Sequence, residues 1–341
     1  MQKYLIIFFY FFVFEDTGLR AQISLHEKEA RALIGRAELS IINGDFKEAI
    51  NLYDNAQNLN SLEDNTKLNR IICYLKVGRD SLAVIEAKNI LENGFPISYF
   101  KKTSFKKLFY NKKWLDFSSE YIAPSPSNLK IRIESLLNED QRIRQQEVTR
   151  DSFILIQNNL VDSVRFLIKE NGYIDSKEEG YNVYNDTILL SNGFTYLLIH
   201  ALQVYPLEFR TILDSLLNVG DIKVPNYFFY SRYFMPQNRV KCGCESRLDA
   251  IFIQIENKLY TCGARLEFES NVNREKFGLL PIGETIKLIN YYYFQDKSFK
   301  FDNVINTKVV LNSGFEKDHI QQIDEGLILY KTLEKNDSYF K

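Results

Sequence analysis

The sequence predicts a mainly α-helical protein: stacked helical hairpins, then a mostly helical domain that carries one small β-hairpin. Three observations predict this class. A glycine-centred pattern recurs 34 residues apart in the first third of the chain. From Leu129 onward, apolar residues fall at three- and four-residue steps, as on a helix with one buried face. Within 249–268 the pattern switches to alternation, the period of a strand. The 341 residues, 45% hydrophobic and 26% charged, have globular proportions and suffice for two cores.

Residues 1–21 have the organisation of a secretory signal peptide. Lys3 gives a positive start, residues 4–14 form an uncharged apolar run, and Glu15 and Asp16 end it. Such a run is short of the roughly 20 residues that cross a hydrocarbon core. Leu19-Arg20-Ala21 puts a small residue before Gln22, the expected cleavage point, and no nearby Cys offers a lipid anchor. An uncleaved anchor and a buried N-terminal helix are the alternatives. No later segment has the length and apolarity of a membrane span, so the expected product is exported and soluble, periplasmic or secreted. Net charge is −1, from 43 basic and 44 acidic residues, and removing residues 1–21 leaves it unchanged. No overall field therefore draws the chain to nucleic acid or to an anionic membrane.

Residues 22–122 carry the repeat. Gly44 and Gly78 are 34 apart, and so are Ala49 and Ala83. A glycine can end a helix in the left-handed conformation at little cost, and a small alanine lets the next helix approach closely. The pattern pairs helix 27–42 with helix 46–59, and helix 64–76 with helix 80–93. A third, divergent hairpin is expected over 97–122, with Phe105, Leu108, Trp114, Leu115 and Phe117 facing inward. A generic helical bundle is the alternative. The spacing, the turn glycine and the small second-helix residue resemble the tetratricopeptide family. That resemblance implies a stack of helical hairpins presenting a concave surface to a protein or peptide partner.

The prolines of 123–128 cannot lie inside one helix and mark a linker, after which Ser127 or Asn128 is placed to cap a helix. In the second domain, 129–295, the stripe Leu129, Ile133, Leu136 and Leu137 continues by the same steps onto Asp140 and Arg144. A carboxylate on a buried face needs a partner, and Arg144 lies one turn away. An internal salt bridge and a catalytic or binding carboxylate are both open. Further helices are expected over 157–171, over 194–205 with His200, and from Pro206 to Gly220. His200, with Tyr196 one turn before it, is either a hydrogen-bonded core residue or an acid–base group. In the 249–268 hairpin, a loop at Asn257-Lys258 pairs Ile255 with Tyr260 and Ile253 with Cys262. Asp249 then ends the apolar face, with Arg247, Arg265 and Arg274 as candidate counter-ions. A bridge from Cys242 or Cys244 to Cys262 is allowed in an exported protein, as are buried or free thiols. Cys73 is expected in a core. No cofactor or metal motif occurs. Residues 296–341 form a C-terminal extension, extended around 308–311 and helical over 318–333.

Residues 129–290 resemble an uncharacterised bacterial domain family, often exported. Asp140-Gln141-x-x-Arg144 matches its D-Q-x-x-R helix, and Arg274 with Gly278-Leu279 matches its closing R-x-x-x-G-L. His200-Ala201 keeps two residues of an H-A-D stretch, with Leu202 in place of the acid. Asp249 keeps the acid of a D-R-I strand, and Gly263 the glycine of a Y-G-T-Q strand. The resemblance implies a mainly helical domain with a small hairpin and no assigned reaction. Two functions are therefore expected: a non-catalytic interaction scaffold of the cell envelope, or a hydrolase-like enzyme gathering Asp140, Arg144, His200 and Asp249.

Overall fold

The structure is a computed structural model that describes residues 23–123, 125–145, 149–184, 187–189, 193–231, 252–255, 258–262, 271–272, 274–296, 298–301, 309–312 and 327–332. The expected signal segment, Asp249, Cys242, Cys244 and the element expected from 318 to 326 lie outside these residues. The described chain is mainly helical. Among the described residues no helix is long and apolar enough to cross a membrane.

Four helices open it: α1 (Leu25–Ile42), α2 (Phe46–Leu59), α3 (Asp64–Lys76) and α4 (Asp80–Glu92), each packed on the next. Ser24 caps α1 by accepting from Glu27 N (3.1 Å), and Asp45 caps α2 by accepting from Glu48 N (3.1 Å). Between α1 and α2, Gly44 has φ +78°, and between α3 and α4 Gly78 has φ +76°. The two turns share one hydrogen-bond pattern, with Asp45 N donating to Ser40 O (2.9 Å) and Arg79 N to Tyr74 O (2.8 Å). Ala49 and Ala83 are both fully buried. Arg70, buried on α3, joins the outer helices: its guanidinium meets Asp54 of α2 at 3.0 Å and Glu86 of α4 at 2.7 Å.

The expected third hairpin takes a different form. Its first arm is two 3₁₀ segments, Ile97–Lys101 and Thr103–Tyr110, followed by α5 (Lys112–Glu120). Phe105 and Leu108 are buried three residues apart, and a 3₁₀ helix aligns such a pair on one row. Trp114 is fully buried and makes an edge contact with Phe100 at 5.3 Å, whereas Leu115 is 46% exposed and does not face inward. Burying Trp114 turns its neighbour outward.

After the linker come α6 (Asn128–Gln145), α7 (Arg150–Asn171), the short α8 (Ser176–Glu179), the strand pair β1 (Asn182–Tyr184) and β2 (Thr187–Leu189), α9 (Gly193–Val204), α10 (Pro206–Asn218) and α11 (Val224–Ser231). Ser127 Oγ accepts from Lys130 N (3.0 Å) and so starts α6. Helix α7 begins seven residues earlier than the apolar pattern predicts. Thr149 caps it, while Ile154 and Leu155 in its first turns are exposed and leave no amphipathic trace.

Four strands then assemble in the order β5-β3-β4-β6: β3 (Phe252–Ile255), β4 (Lys258–Cys262), and, after α12 (Ile282–Phe294), β5 (Val309–Asn312) and β6 (Leu327–Thr332). Strands β3 and β4 are antiparallel, with Ile255 opposite Lys258 and Ile253 opposite Tyr260. This register is shifted by two residues from the one the alternation predicts, Ile255 with Tyr260 and Ile253 with Cys262. The end of the segment expected to be helical, 327–332, is instead a strand on β4. Pairing to a distant edge overrides the local pattern there.

Two clusters of buried side chains form the core, and they do not divide at the linker. One joins the first helices to Leu280, Leu288, Phe299 and Phe301, from beyond the second cluster in sequence. The other gathers Ile133, Val161, Val164, Phe194, Leu198, Phe209 and Phe277. The 274–280 turn ties the two. Arg274, buried, donates from Nε to Leu280 O and from Nη2 to Thr285 Oγ1 (2.8 Å). Gly278, at φ +66°, passes so close to α1 that an added Cβ would lie 2.2 Å from Lys28 O. Arg274 is thus engaged at this turn rather than only beside the hairpin.

Candidate functional site

Three of the four candidate residues converge. On α6, Ile133, Asp140 and Ile143 fall on one buried face, so the helix period carries a carboxylate into the core. Arg144, one turn on, lies alongside it: Nε is 3.2 and 3.1 Å from Asp140 Oδ1 and Oδ2, and Nη2 is 3.1 Å from Oδ1. Gln141 Nε2 donates to Oδ2 at 3.1 Å. From α9, His200 brings Nδ1 to 2.8 Å from Asp140 Oδ2. The imidazole and the carboxylate are thus in close polar contact. Burial opposes ionisation of Asp140, but His200 and then Arg144 outweigh it and hold the carboxyl below its ordinary value.

The helix that delivers His200 is fixed at its start by a residue the sequence pattern does not single out. Glu179, on α8, accepts from the first two main-chain N–H groups of α9, Gly193 N at 2.7 Å and Phe194 N at 3.0 Å. A carboxylate there satisfies unpaired donors and complements the helix dipole. Burial nevertheless pushes the Glu179 carboxyl upward, against those two N–H groups. Gly193 leaves room for this contact, since an added Cβ would lie 2.9 Å from both Glu179 Oε1 and Ile133 Cγ2. The signal was hidden because Glu179 sits in a short polar run, and its partners lie 14 and 15 residues away across a second turn.

Apart from Gln157, the rest of the neighbourhood is apolar. A recess beside the charges is lined by Gln157, Leu160, Val161, Val164, Leu197 and Ala201 together with Asp140 and His200, and it encloses about 10 Å³. That is room for about one water molecule. His200 keeps 21% of its side chain exposed and Arg144 31%, while Asp140 keeps 3%. With Nδ1 turned to the carboxylate, Nε2 lies on the far edge of the imidazole. Tyr196, one turn before, is 45% exposed, and Leu202, where the resembled family has an acid, is buried in the second core.

The arrangement suits two roles. A buried carboxylate shared by the guanidinium of Arg144 and the imidazole of His200 ties α6 to α9, and an imidazole oriented through Nδ1 has its other nitrogen available for proton transfer. The fourth candidate, Asp249, lies outside the described residues. Cys73 is buried and free, its thiol pushed up to about 12 by burial, as befits a core residue. Among the described residues no group of three or more His, Cys, Asp or Glu side chains is arranged to hold a metal ion. Compared with protein-family models, with curated proteins and with solved structures, the chain matches none.

Proposed function

We propose that this chain is an exported protein-interaction scaffold of the cell envelope, built on tetratricopeptide-like helical hairpins. The observation that carries the reading is the pair of matched turns. Gly44 and Gly78, 34 residues apart, share a left-handed backbone and the same cap bond, and Ala49 and Ala83 behind them are both fully buried. The cap alone is common. Its recurrence at that spacing, with the small residue in step, supports one structural unit used twice. Units of this kind stack into surfaces that take extended partners. Leu82 and Ile85 already stand exposed on α4, at 42% and 55%. Export rests on the basic, apolar and small-residue order of residues 1–21. The test is site-directed photo-cross-linking in envelope extract, with probes at exposed positions along α1 to α4 and controls on α10. A defined protein adduct confined to the first set is expected. A folded chain giving no adduct above background overturns the reading.

A hydrolase-like enzyme is the second reading, and the 2.8 Å approach of His200 to Asp140 favours it. In it His200 Nε2 moves the proton, Asp140 orients the ring, and Arg144 faces developing negative charge. Against it stand a recess with room for one water and a carboxylate already shared by Arg144 and His200. Turnover of a panel of esters and amides by wild type, abolished in His200→Gln, supports catalysis. Equal rates in the two proteins exclude it.

A further inference from the structure

Part of the surface of α2 and α3 is already occupied, and the occupant is the chain's own 298–301 segment. Asn69 of α3, buried to 1% exposure, uses its side-chain amide to bond both main-chain groups of one residue: Nδ2 donates to Lys300 O (2.8 Å) and Oδ1 accepts from Lys300 N (2.7 Å). An amide used this way recognises peptide backbone whatever the side chain. On either side of Lys300, Phe299 and Phe301 are buried to 0% and 2%. Their rings stack 6.1 Å apart at 4°, and Phe299 stacks on Phe46 of α2 at 6.2 Å and 10°. Lys300 itself turns to α12, where Nζ bonds Tyr292 OH at 2.7 Å. Alternate side chains buried and the intervening main chain clamped is how a surface holds an extended peptide. Lys300 lies 231 positions after Asn69 in the chain.

We propose that residues 298–301 are a resident peptide ligand of the N-terminal helices, and that the scaffold's partner carries an extended aromatic–x–aromatic segment that takes their place. The inference rests on the scaffold reading and adds its recognition chemistry and its control. Two aromatic side chains fill the sites of Phe299 and Phe301. The residue between them supplies one N–H and one C=O to Asn69, so proline is excluded there. While the resident segment is bound, partner affinity is lowered in proportion to the fraction of molecules with an open face.

A fluorescent peptide of residues 295–301 tests this by anisotropy against the full chain. The Phe299→Ala/Phe301→Ala protein is expected to bind it about tenfold or more tighter than wild type. Adding Asn69→Ala, or using a peptide with proline in place of Lys300, is expected to abolish that gain. A double variant with intact helical circular dichroism that binds no tighter than wild type overturns the proposal. If the variant does not fold, hydrogen exchange on wild type decides. Free peptide must accelerate exchange of the Lys300 amide, and unchanged exchange up to roughly millimolar peptide overturns it. Peptide binding without any cross-linked envelope partner removes the scaffold reading and leaves the groove chemistry standing. A cross-linked partner that leaves Lys300 exchange unchanged does the reverse.

Discussion

Leu280 fills the notch that Gly35 leaves on the first helix: a Cβ added to Gly35 would fall 2.7 Å from Leu280 Cγ. This contact joins α1 to the turn that precedes α12. Mid-helix, alanine is intrinsically better than glycine by about 1 kcal/mol. The packing loss is expected to exceed that gain, because Cγ is the branch point of Leu280 and cannot swing away. Gly35→Ala is therefore expected to destabilise by about 1–2 kcal/mol net. Leu280→Ala is expected to cost about 2–4 kcal/mol by opening a cavity. The double variant is expected to fall short of the sum by about 1 kcal/mol or more. Urea denaturation of the four proteins closes the cycle, and additivity within about 0.5 kcal/mol sinks the contact as described.

Arg70 makes a sharper distinction between two ion pairs. It is 4% exposed and meets both Asp54, whose side chain is 49% exposed, and Glu86, whose side chain is 12% exposed. An exposed pair contributes about 0–1 kcal/mol, whereas leaving a buried charge without its partner costs about 3–5 kcal/mol. Asp54→Ala is thus expected to be nearly silent, and Glu86→Ala to lower the urea midpoint clearly. Equal midpoints for the two variants count against burial as what sets the two pairs apart.

How far the sequence was legible depended on whether the cause of each feature was local. The turns at Gly44 and Gly78 and the capping oxygen of Ser127 are set by neighbouring residues, and the helices they bound lie where the pattern puts them. The approach of Asp140 to Arg144 follows from helix period alone. His200 reaches the same carboxylate from another helix, which spacing could nominate but not place. The insertion of Leu280, the clamp of Asn69 on Lys300 and the cap of Glu179 on α9 link residues that periodicity cannot relate. So does the strand at 327–332, whose partner β4 decides it. The 3₁₀ arm and the outward turn of Leu115 follow from how Trp114 is buried, which no linear pattern records.

Trp114 and Leu115 give that last point a measurement. Trp114 is fully buried against Phe100, Phe109 and Phe117, while its neighbour is nearly half exposed. Trp114→Ala is expected to cost about 3–5 kcal/mol and Leu115→Ala less than about 1 kcal/mol. A thermal scan of both, with helical content followed by circular dichroism, separates them. A Leu115→Ala loss as large as that of Trp114→Ala restores the inward-facing hairpin that the sequence suggests.

The carboxylate of Asp140 has its own signature in pH. Its folded value is depressed, so it contributes stability above the ordinary carboxyl value of about 4 and loses that contribution as pH falls through the folded value. Asp140→Asn keeps the shape but removes the charge facing His200 and Arg144. At about pH 7 the variant is expected to be less stable by about 1–3 kcal/mol, since both His200 and Arg144 keep some access to water. Below about pH 4 the gap is expected to narrow, because the unfolded carboxyl takes up its proton first and the folded one follows only at its lower value. Urea midpoints measured from about pH 7 to about pH 3 give the gap at each point. A gap that stays constant over that range shows that the charge does not hold α6 to α9, and shape alone then accounts for the contact. A gap that closes on acidification identifies Asp140 as the ionised centre on which His200 and Arg144 are organised, whichever function that centre serves.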